Sequence, residues 1–131
     1  MTADLTEGNN ALAWDDRLGD GQTTIGLQAR ATGDPLAFDF PVTGVPANDL
    51  DASLTNAFWV ANVAHDWFRE LGFDEPSGAL QAAGFGRGGL SSDPLRVYVQ
   101  SRATDAVNVA RNSNSAATTP DGSIGNINIG L

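Results

Sequence analysis

His65 is the only histidine in the chain, and it is followed directly by Asp66. A zinc hydrolase needs three protein ligands and an open position, and the H-E-x-x-H motif needs two histidines one helical turn apart. A chain with one histidine and no cysteine cannot build that motif. One histidine is enough for a Ser-His-Asp triad, but no G-x-S-x-G sequence presents a serine nucleophile. The sequence therefore predicts no catalytic residue and no metal-ligand set.

A glycine-rich stretch, "GFGRGG" (84–89), matches the pattern G-x-G-x-x-G. The dinucleotide-binding form of that pattern follows a strand and opens a helix. Here "DEPSGALQAA" precedes it and "LSSDP" follows it, so neither requirement is met. We interpret these glycines as allowing a loop to pack close to another backbone, with Arg87 paired to a carboxylate.

An acidic turn near the start, "DDRLGDG", resembles the beginning of a calcium-binding loop. An EF-hand starting at Asp16 would need an oxygen ligand in place of Leu18 and a glutamate in place of Leu27. An EF-hand is therefore excluded. An irregular calcium site near Asp15, Asp16 and Asp20 remains an alternative to an ordinary turn.

A helix over about residues 53–71 is the element that must position His65. Its apolar residues form two neighbouring stripes at a period close to 3.6, which predicts a helix buried over much of its surface. The stripes are Leu54, Phe58, Ala61, His65 and Phe68, and Ala57, Val60, Ala64, Trp67 and Leu71. Asp51 or Ser53 can cap its start, and Gly72 can adopt the left-handed conformation at its end.

His65 lies on an apolar stripe, so we expect a packed, hydrogen-bonded side chain. Asp66 points about 100° away around a helix and is not expected to be its direct partner. Short strands are predicted at 23–31, 36–42 and 95–101, with a last strand around Ile127 and Ile129. With 131 residues, the chain is expected to form one domain with its own core.

Acidic residues outnumber basic ones, and the net charge is −9. Every basic residue is an arginine. This charge disfavours nucleic acid and anionic membranes as partners. No apolar run reaches the length of a membrane span, and the first residues, "MTADLTEGNN", do not form a signal peptide. The absence of cysteine excludes disulfides.

Three segments in order carry a resemblance to a known family: residues 56–66, 72–81 and 85–93. They match an N-x-F-Y-x-N-N-x-x-H-D helix, a G-F-D-E-x-x-G-x-x-Q segment and N-F-G-R-G-G followed by Asp. "TEGNNALAWDD", "FDFP" and "NSNSAATTPDG" extend the match to nearly the whole chain. The chain resembles the fungalysin metallopeptidases, which are thermolysin-like secreted zinc endopeptidases.

The resemblance implies an α+β fold, the N-terminal lobe of a thermolysin-like peptidase, with short antiparallel strands and one long buried helix. Residues 1–131 would be a single subdomain of the catalytic domain. H-E-x-x-H and a third, glutamate ligand would lie beyond Leu131. In the parent, zinc-bound water polarised by a glutamate would attack a peptide carbonyl. His65, Asp66 and Arg87 would be structural.

The resemblance also implies a substrate-binding edge strand, which corresponds here to Asn112, Ser113, Asn114, Ser115 and Ala116. The family's Asn-Asn-Ala is replaced by Asn112-Ser113-Asn114, so the groups that hold the substrate backbone are only partly kept.

The chain is thus expected to be the scaffold and cleft portion of an extracellular zinc metalloendopeptidase, inactive alone. Its partner would be the C-terminal half of the peptidase domain or a second copy, and the parent would take peptide substrates. The alternative is a stand-alone, non-catalytic binding domain derived from this fold.

Overall fold

A computed structural model describes residues 4–24, 26–104, 114–117 and 119–130. The fold is α+β, with one long helix against one small mixed sheet. Its elements are β1 (Ala11–Asp15), α1 (Leu50–Glu70), a 3-10 turn (Glu75–Ser77), β2 (Leu95–Val99), β3 (Ser115–Ala117) and β4 (Asn126–Ile129).

The four strands lie in the order β1-β2-β4-β3. β1 pairs parallel with β2, and β2 pairs parallel with β4, so that Ala13, Val97 and Ile127 lie side by side. Of these four strands, β3 and β4 form the antiparallel pair. The expected antiparallel pairing is therefore wrong for the first three strands of the sheet. The reason is the connection after β1, which carries α1 and returns the chain in the same direction, as parallel strands require.

The core lies between α1 and the sheet. Leu54 of α1 packs against Val97 and Val99 of β2, together with Ala13 and Ala29. The two alanines have no exposed surface, and their small side chains let the helix and the sheet approach closely. This contact fixes α1 over one part of the sheet.

The bounds of α1 differ from the predicted ones mainly at the start. The N-cap is Asp49 rather than Asp51 or Ser53, and its side chain does not cap the helix. Instead, the Asp49 carboxylate accepts hydrogen bonds from the Thr43 hydroxyl at 2.7 Å and the Gly44 N–H at 2.8 Å. These bonds, with the Thr43 hydroxyl the largest cause, lower the pKa of Asp49.

The prediction that α1 is buried over much of its surface is wrong in the described part of the chain. Leu54 is the one residue of the helix that is buried there. Trp59 is 62% exposed and Trp67 is 61% exposed. The helix packs on β1 and β2, and no other described element covers its remaining apolar surface. The described helices include none that could cross a membrane.

The predicted strand at 95–101 and the predicted last strand are confirmed as β2 and β4. The described residues of 23–31 and 36–42 form only isolated bridges, Leu5 with Arg30 and Thr32 with Ala37. Gly26 and Gly33 have left-handed φ angles of +106° and +88°. Such angles turn the chain and prevent a continuous ladder.

Candidate functional site

His65 and Asp66 form a direct contact on α1. The Nδ1 atom of His65 lies 3.1 Å from Oδ1 of Asp66. The histidine side chain is 11% exposed and the aspartate is 73% exposed. The expectation that Asp66 is not the partner is therefore wrong, because the two side chains lean toward each other across the angle between their Cβ atoms.

Asn10 connects this pair to the segment that leads into β1. Its Nδ2 donates to Oδ1 of Asn62 at 3.3 Å and to Oδ1 of Asp66 at 3.5 Å. The Asn62 side chain in turn donates to the Phe58 carbonyl one turn earlier, at 2.8 Å. These bonds hold the middle of α1 against the start of the sheet and orient Asp66.

The carboxylate partner of Arg87 is Glu75. Nη1 of Arg87 lies 2.9 Å from Oε1 of Glu75, and Nε of Arg69 lies 3.5 Å from Oε2. The Glu75 side chain is only 3% exposed. Its pKa is lowered to about 2, first by its own backbone N–H and then by Arg87 and Arg69. The cluster ties the end of α1 to the glycine-rich loop.

The glycine-rich loop does pack against another backbone, as its sequence predicts. A Cβ atom on Gly89 would collide with the carbonyl group of Glu75. Gly89 has a φ angle of +68°, a conformation that side chains disfavour. The loop is therefore held directly over the 3-10 turn, which explains a glycine at this position without any nucleotide.

The carboxylates of the acidic turn have local protein partners. Asp15 pairs with Arg17 at 2.8 Å. Asp16 accepts the Ser101 hydroxyl at 2.5 Å, and Asp20 accepts the backbone N–H two residues later. Within the described ranges, no group of three or more histidine, cysteine or acidic side chains could hold a metal ion. The geometry is that of a turn tied to the end of β2.

An apolar cavity of about 720 Å³ lies between α1 and the sheet; we call it the helix cleft. Its floor includes β2 and β4, and α1 forms one wall. Among the described elements, α1 packs on β1 and β2 and not on β4, so no described helix lies over β4, whose residues are half-buried. The lining residues include Ala57, Val60, Ala61, Ala64, His65 and Phe68 of the helix, and Val97, Val99, Ile127 and Ile129 of the strands.

Sequence reasoning did not predict the helix cleft. Two signals were present: small residues at 57, 61 and 64 on one side of the helix, and isoleucines at 127 and 129 that share one face of a strand. The first predicts a buried helix and the second a last strand, and neither pattern alone shows that a cleft lies between them. The sheet is wider than the surface that one helix covers, and only the topology shows this.

The predicted substrate edge lies only partly within the described residues. Asn112 and Ser113 lie outside them. β3 is exposed, pairs with β4 on one side, and is the outer strand of the sheet. Oδ1 of Asn114 accepts the Gly130 N–H at 3.0 Å, and Oγ of Ser115 accepts from Asn128 at 3.0 Å. The side chains of Asn114 and Ser115 therefore hold β4 and Gly130, while the opposite backbone edge of β3 has no partner strand among the described residues.

An α+β lobe with one long helix, an open sheet edge and an uncovered cleft is consistent with part of a peptidase domain. The model of the fungalysin metallopeptidase (M36) family matches residues 1–131. The chain belongs to the fungalysin metallopeptidase family.

Relatives with assigned names agree with this family. The chain is similar to Extracellular metalloproteinase 1 of Trichophyton equinum, with 35% identity over 123 residues, 92% of this chain and 19% of the relative. It is 34% identical over 127 residues to Extracellular metalloproteinase MEP of Pyricularia oryzae, covering 95% of this chain and 19% of that protein. It is 38% identical over 88 residues to Extracellular metalloproteinase mep of Aspergillus flavus, 67% of this chain and 13% of that protein. The chain thus spans less than a fifth of the length of these relatives.

Proposed function

We propose that this chain is the N-terminal scaffold and substrate-cleft portion of a secreted zinc metalloendopeptidase and does not hydrolyse peptides by itself. The observation that carries the proposal is the helix cleft, an apolar surface left open in a chain that matches only 19% of a relative named as an extracellular metalloproteinase. A surface of this kind is normally covered by protein.

The dimensions of the sheet support a second covering element beside α1. Four strands spaced about 4.8 Å apart span about 14 Å between the outer strand axes, and a helix with its side chains is about 10–12 Å across. α1 occupies the part over β1 and β2. A second helix beside α1, at the usual 8–10 Å between axes, would cover β4 and fill the cleft. We assign this position to the remaining chain of the peptidase.

The zinc that the family implies does not fit the residues of this chain. The whole sequence has one histidine and no cysteine. His65 has Asp66 as its near acidic neighbour, and no third donor completes a set within the described residues. We therefore assign the zinc ligands to the remaining chain. For residues 1–131 we propose two roles only. They support the remaining part of the peptidase, and they bind the backbone of the substrate.

The free edge of β3 is the place where we propose that substrate binds. An extended peptide can add to an exposed strand through main-chain hydrogen bonds. β3 pairs with β4 on one side only, so its other backbone edge has no partner strand among the described residues. The side chains of Asn114 and Ser115 are engaged with Gly130 and Asn128. In this proposal, substrate recognition at Asn114, Ser115 and Ala116 is mainly by backbone, and Asn112 and Ser113, outside the described residues, are assigned to the same binding segment.

The first test compares the chain alone with the intact protein that carries it, using a quenched fluorescent peptide and added zinc. We expect no hydrolysis by the chain alone, and hydrolysis by the intact protein that a chelator removes. Hydrolysis by the chain alone would contradict the scaffold role. Absence of hydrolysis by the zinc-loaded intact protein would contradict the peptidase assignment.

Two proline variants of the intact protein test the substrate edge. The N–H groups of adjacent residues in a strand point to opposite sides, so Ala116→Pro and Ala117→Pro remove one donor toward β4 and one toward the free edge. We expect one variant to be destabilised. The other should keep the wild-type unfolding midpoint and lose kcat/KM. If both keep kcat/KM, the edge of β3 does not bind substrate.

A non-catalytic binding domain is the second candidate. The replacement of Asn-Asn-Ala by Asn112-Ser113-Asn114 favours it, as does the engagement of Asn114 Oδ1 by the Gly130 N–H. Such a domain would bind extended peptides without cleaving them and would unfold cooperatively as a monomer. Calorimetric peptide titration of the intact protein, with and without zinc, separates the two candidates.

A further inference from the structure

The two faces of the outer strand β3 differ in character, and its register with β4 shows which residue lies on which face. Paired residues on neighbouring strands project their side chains to the same face of a sheet, and successive residues project to opposite faces. Ser115 pairs with Asn128, and Ala116 pairs with Ile127. The Asn128 amide donates to the Ser115 hydroxyl at 3.0 Å, which places these two side chains on one face independently of the register.

Ala116 lies on the face of the sheet that carries the helix cleft. Its partner Ile127 lines the cleft, and so does Ile129 two residues later. The Ala116 side chain is a single methyl group on an exposed residue. The apolar surface of β4 is therefore reached from the edge of the sheet across a small residue.

The opposite face of β3 is more polar. Ser115 and Ala117 pair there with Asn128 and Asn126. Both residues of β3 are exposed, and the Ser115 hydroxyl is bonded to the Asn128 amide. A side chain placed beside them meets a hydroxyl, a methyl group and two amides rather than a continuous apolar surface.

A peptide that adds to the free edge of β3 would contact both faces. Such a peptide is extended, so its side chains alternate between the two faces of the sheet. The residue directly opposite Ala116 has its side chain on the cleft face, and its two neighbours have theirs beside Ser115 and Ala117. Strands lie about 4.8 Å apart, which places the backbone of Ile127 about 10 Å from that of the peptide. A long apolar side chain can extend over the Ala116 methyl group and contact the isoleucine.

We propose that Ala116 determines which residue of the substrate is selected for a large apolar side chain, and that the peptidase prefers substrates in which apolar and polar residues alternate along the bound segment. This inference rests on the proposed function, in which substrate adds to the free edge of β3. The preferred substrates have small or polar side chains opposite Ser115 and Ala117. Cross-strand pairs of matching character favour such peptides.

A peptide library hydrolysed by the wild-type intact protein with zinc tests the alternation. The library varies one residue at a time on both sides of the cleaved bond, and mass spectrometry of the products gives the relative kcat/KM for each side chain at each position. We expect one position that prefers a large apolar side chain, flanked on both sides by positions that accept serine, threonine or asparagine equally well or better. A profile without this alternation would overturn the proposal.

Two matched variants of the intact protein identify the substrate residues that lie beside β3. Ala116→Glu and Ala117→Glu add the same charge at adjacent residues that face opposite sides of the sheet. We expect each variant to raise kcat/KM for lysine relative to alanine at one substrate position, by about two- to fivefold, as for an opposite-charge pair across a ladder. For Ala116→Glu this is the position that prefers an apolar side chain in the wild type, and for Ala117→Glu it is an adjacent one. If both variants act at one position, or neither changes the profile, the proposal is wrong.

Failure of this inference can be distinguished from failure of the proposed function. Hydrolysis of any library peptide by the zinc-loaded intact protein reports on the function. An active enzyme whose profile does not alternate would refute only the selection of alternating substrates, whereas absence of hydrolysis would refute both. A variant that does not fold is recognised from its unfolding midpoint, and the wild-type profile then decides.

Discussion

Nη1 of Arg87 lies 2.9 Å from Oε1 of Glu75, and this contact joins the glycine-rich loop to the turn that follows α1. Glu75 is nearly inaccessible to solvent, and Arg69 from the last turn of α1 approaches its other oxygen at 3.5 Å. One carboxylate thus connects the long helix, the 3-10 turn and the loop.

The pH dependence of stability follows from Glu75. Its pKa in the folded chain is about 2, compared with 4.5 ordinarily. Because the folded pKa is the lower one, the contribution of Glu75 is fully present above about pH 4.5 and is lost as the pH falls toward about 2. We expect the difference in unfolding free energy between wild type and Glu75→Gln to shrink over that window in urea titrations. Glu70→Gln, at an exposed neighbouring carboxylate, is the control. A difference that stays constant down to pH 2 would contradict the assignment.

Gly89 has a steric role that can be separated from its conformational one. Gly89 and Gly86 have similar φ angles of +68° and +71°. A Cβ at Gly89 meets the Glu75 carbonyl, whereas nothing lies within 4 Å of one at Gly86. Gly86→Ala should cost about 1–2 kcal/mol for the left-handed backbone, and Gly89→Ala a further 1–3 kcal/mol or so for the collision. Equal unfolding midpoints in urea would show that the loop does not rest on the turn.

Leu54 is expected to contribute most of the stability that α1 provides. It is 1% exposed, whereas Val63 on the same helix is 46% exposed. Leu54→Ala should lower the unfolding free energy by about 2–5 kcal/mol because it leaves a cavity in the core. Val63→Ala should change it by no more than about 0.5 kcal/mol. Thermal and urea unfolding of the two variants check this, and a comparable loss for Val63→Ala would mean that its face is covered.

Asp93 holds two loops together from a fully buried position. Its oxygens accept the backbone N–H groups of Gln81 at 3.2 Å and Gly122 at 2.8 Å. Asp93→Asn replaces one acceptor with a donor that faces an N–H group. It should cost about 1–3 kcal/mol of unfolding free energy. Asp39→Asn, at an exposed carboxylate, is the matched control for the change in net charge. Similar unfolding curves for both variants would show that the hydrogen bonds of Asp93 do not stabilise the fold.

The sequence predicts those features that depend on local pattern. The helical period of Leu54, Phe58 and Ala61 located α1 to within three residues at its start, and the alternation in 95–101 located β2. The glycines of the 84–89 loop predicted a close backbone approach, which the structure shows at Gly89. The positions of α1 and β2 and the conformation of the loop each depend on residues that are close together in the sequence.

Features that depend on contacts between distant segments were missed. Parallel pairing of β1 with β2 cannot be deduced from the alternation of either strand. The burial predicted for Trp67 from its stripe requires a covering element, and the described residues do not provide one. The contact between His65 and Asp66 depends on how both side chains lean, which helical angles alone do not determine.

The order of the strands has a consequence for how quickly the lobe can form. Ala13 pairs with Val97, and Val97 with Ile127, so the central ladder joins segments far apart in the chain. Closing such long loops costs entropy before any ladder bond compensates it, and parallel pairing of this kind slows folding. Until β1 has paired with β2, the apolar face of α1 and the strand edges stay accessible to other chains. The parallel pairing of β1 with β2 and of β2 with β4 therefore creates a slow folding step, during which this lobe is most exposed to misassembly.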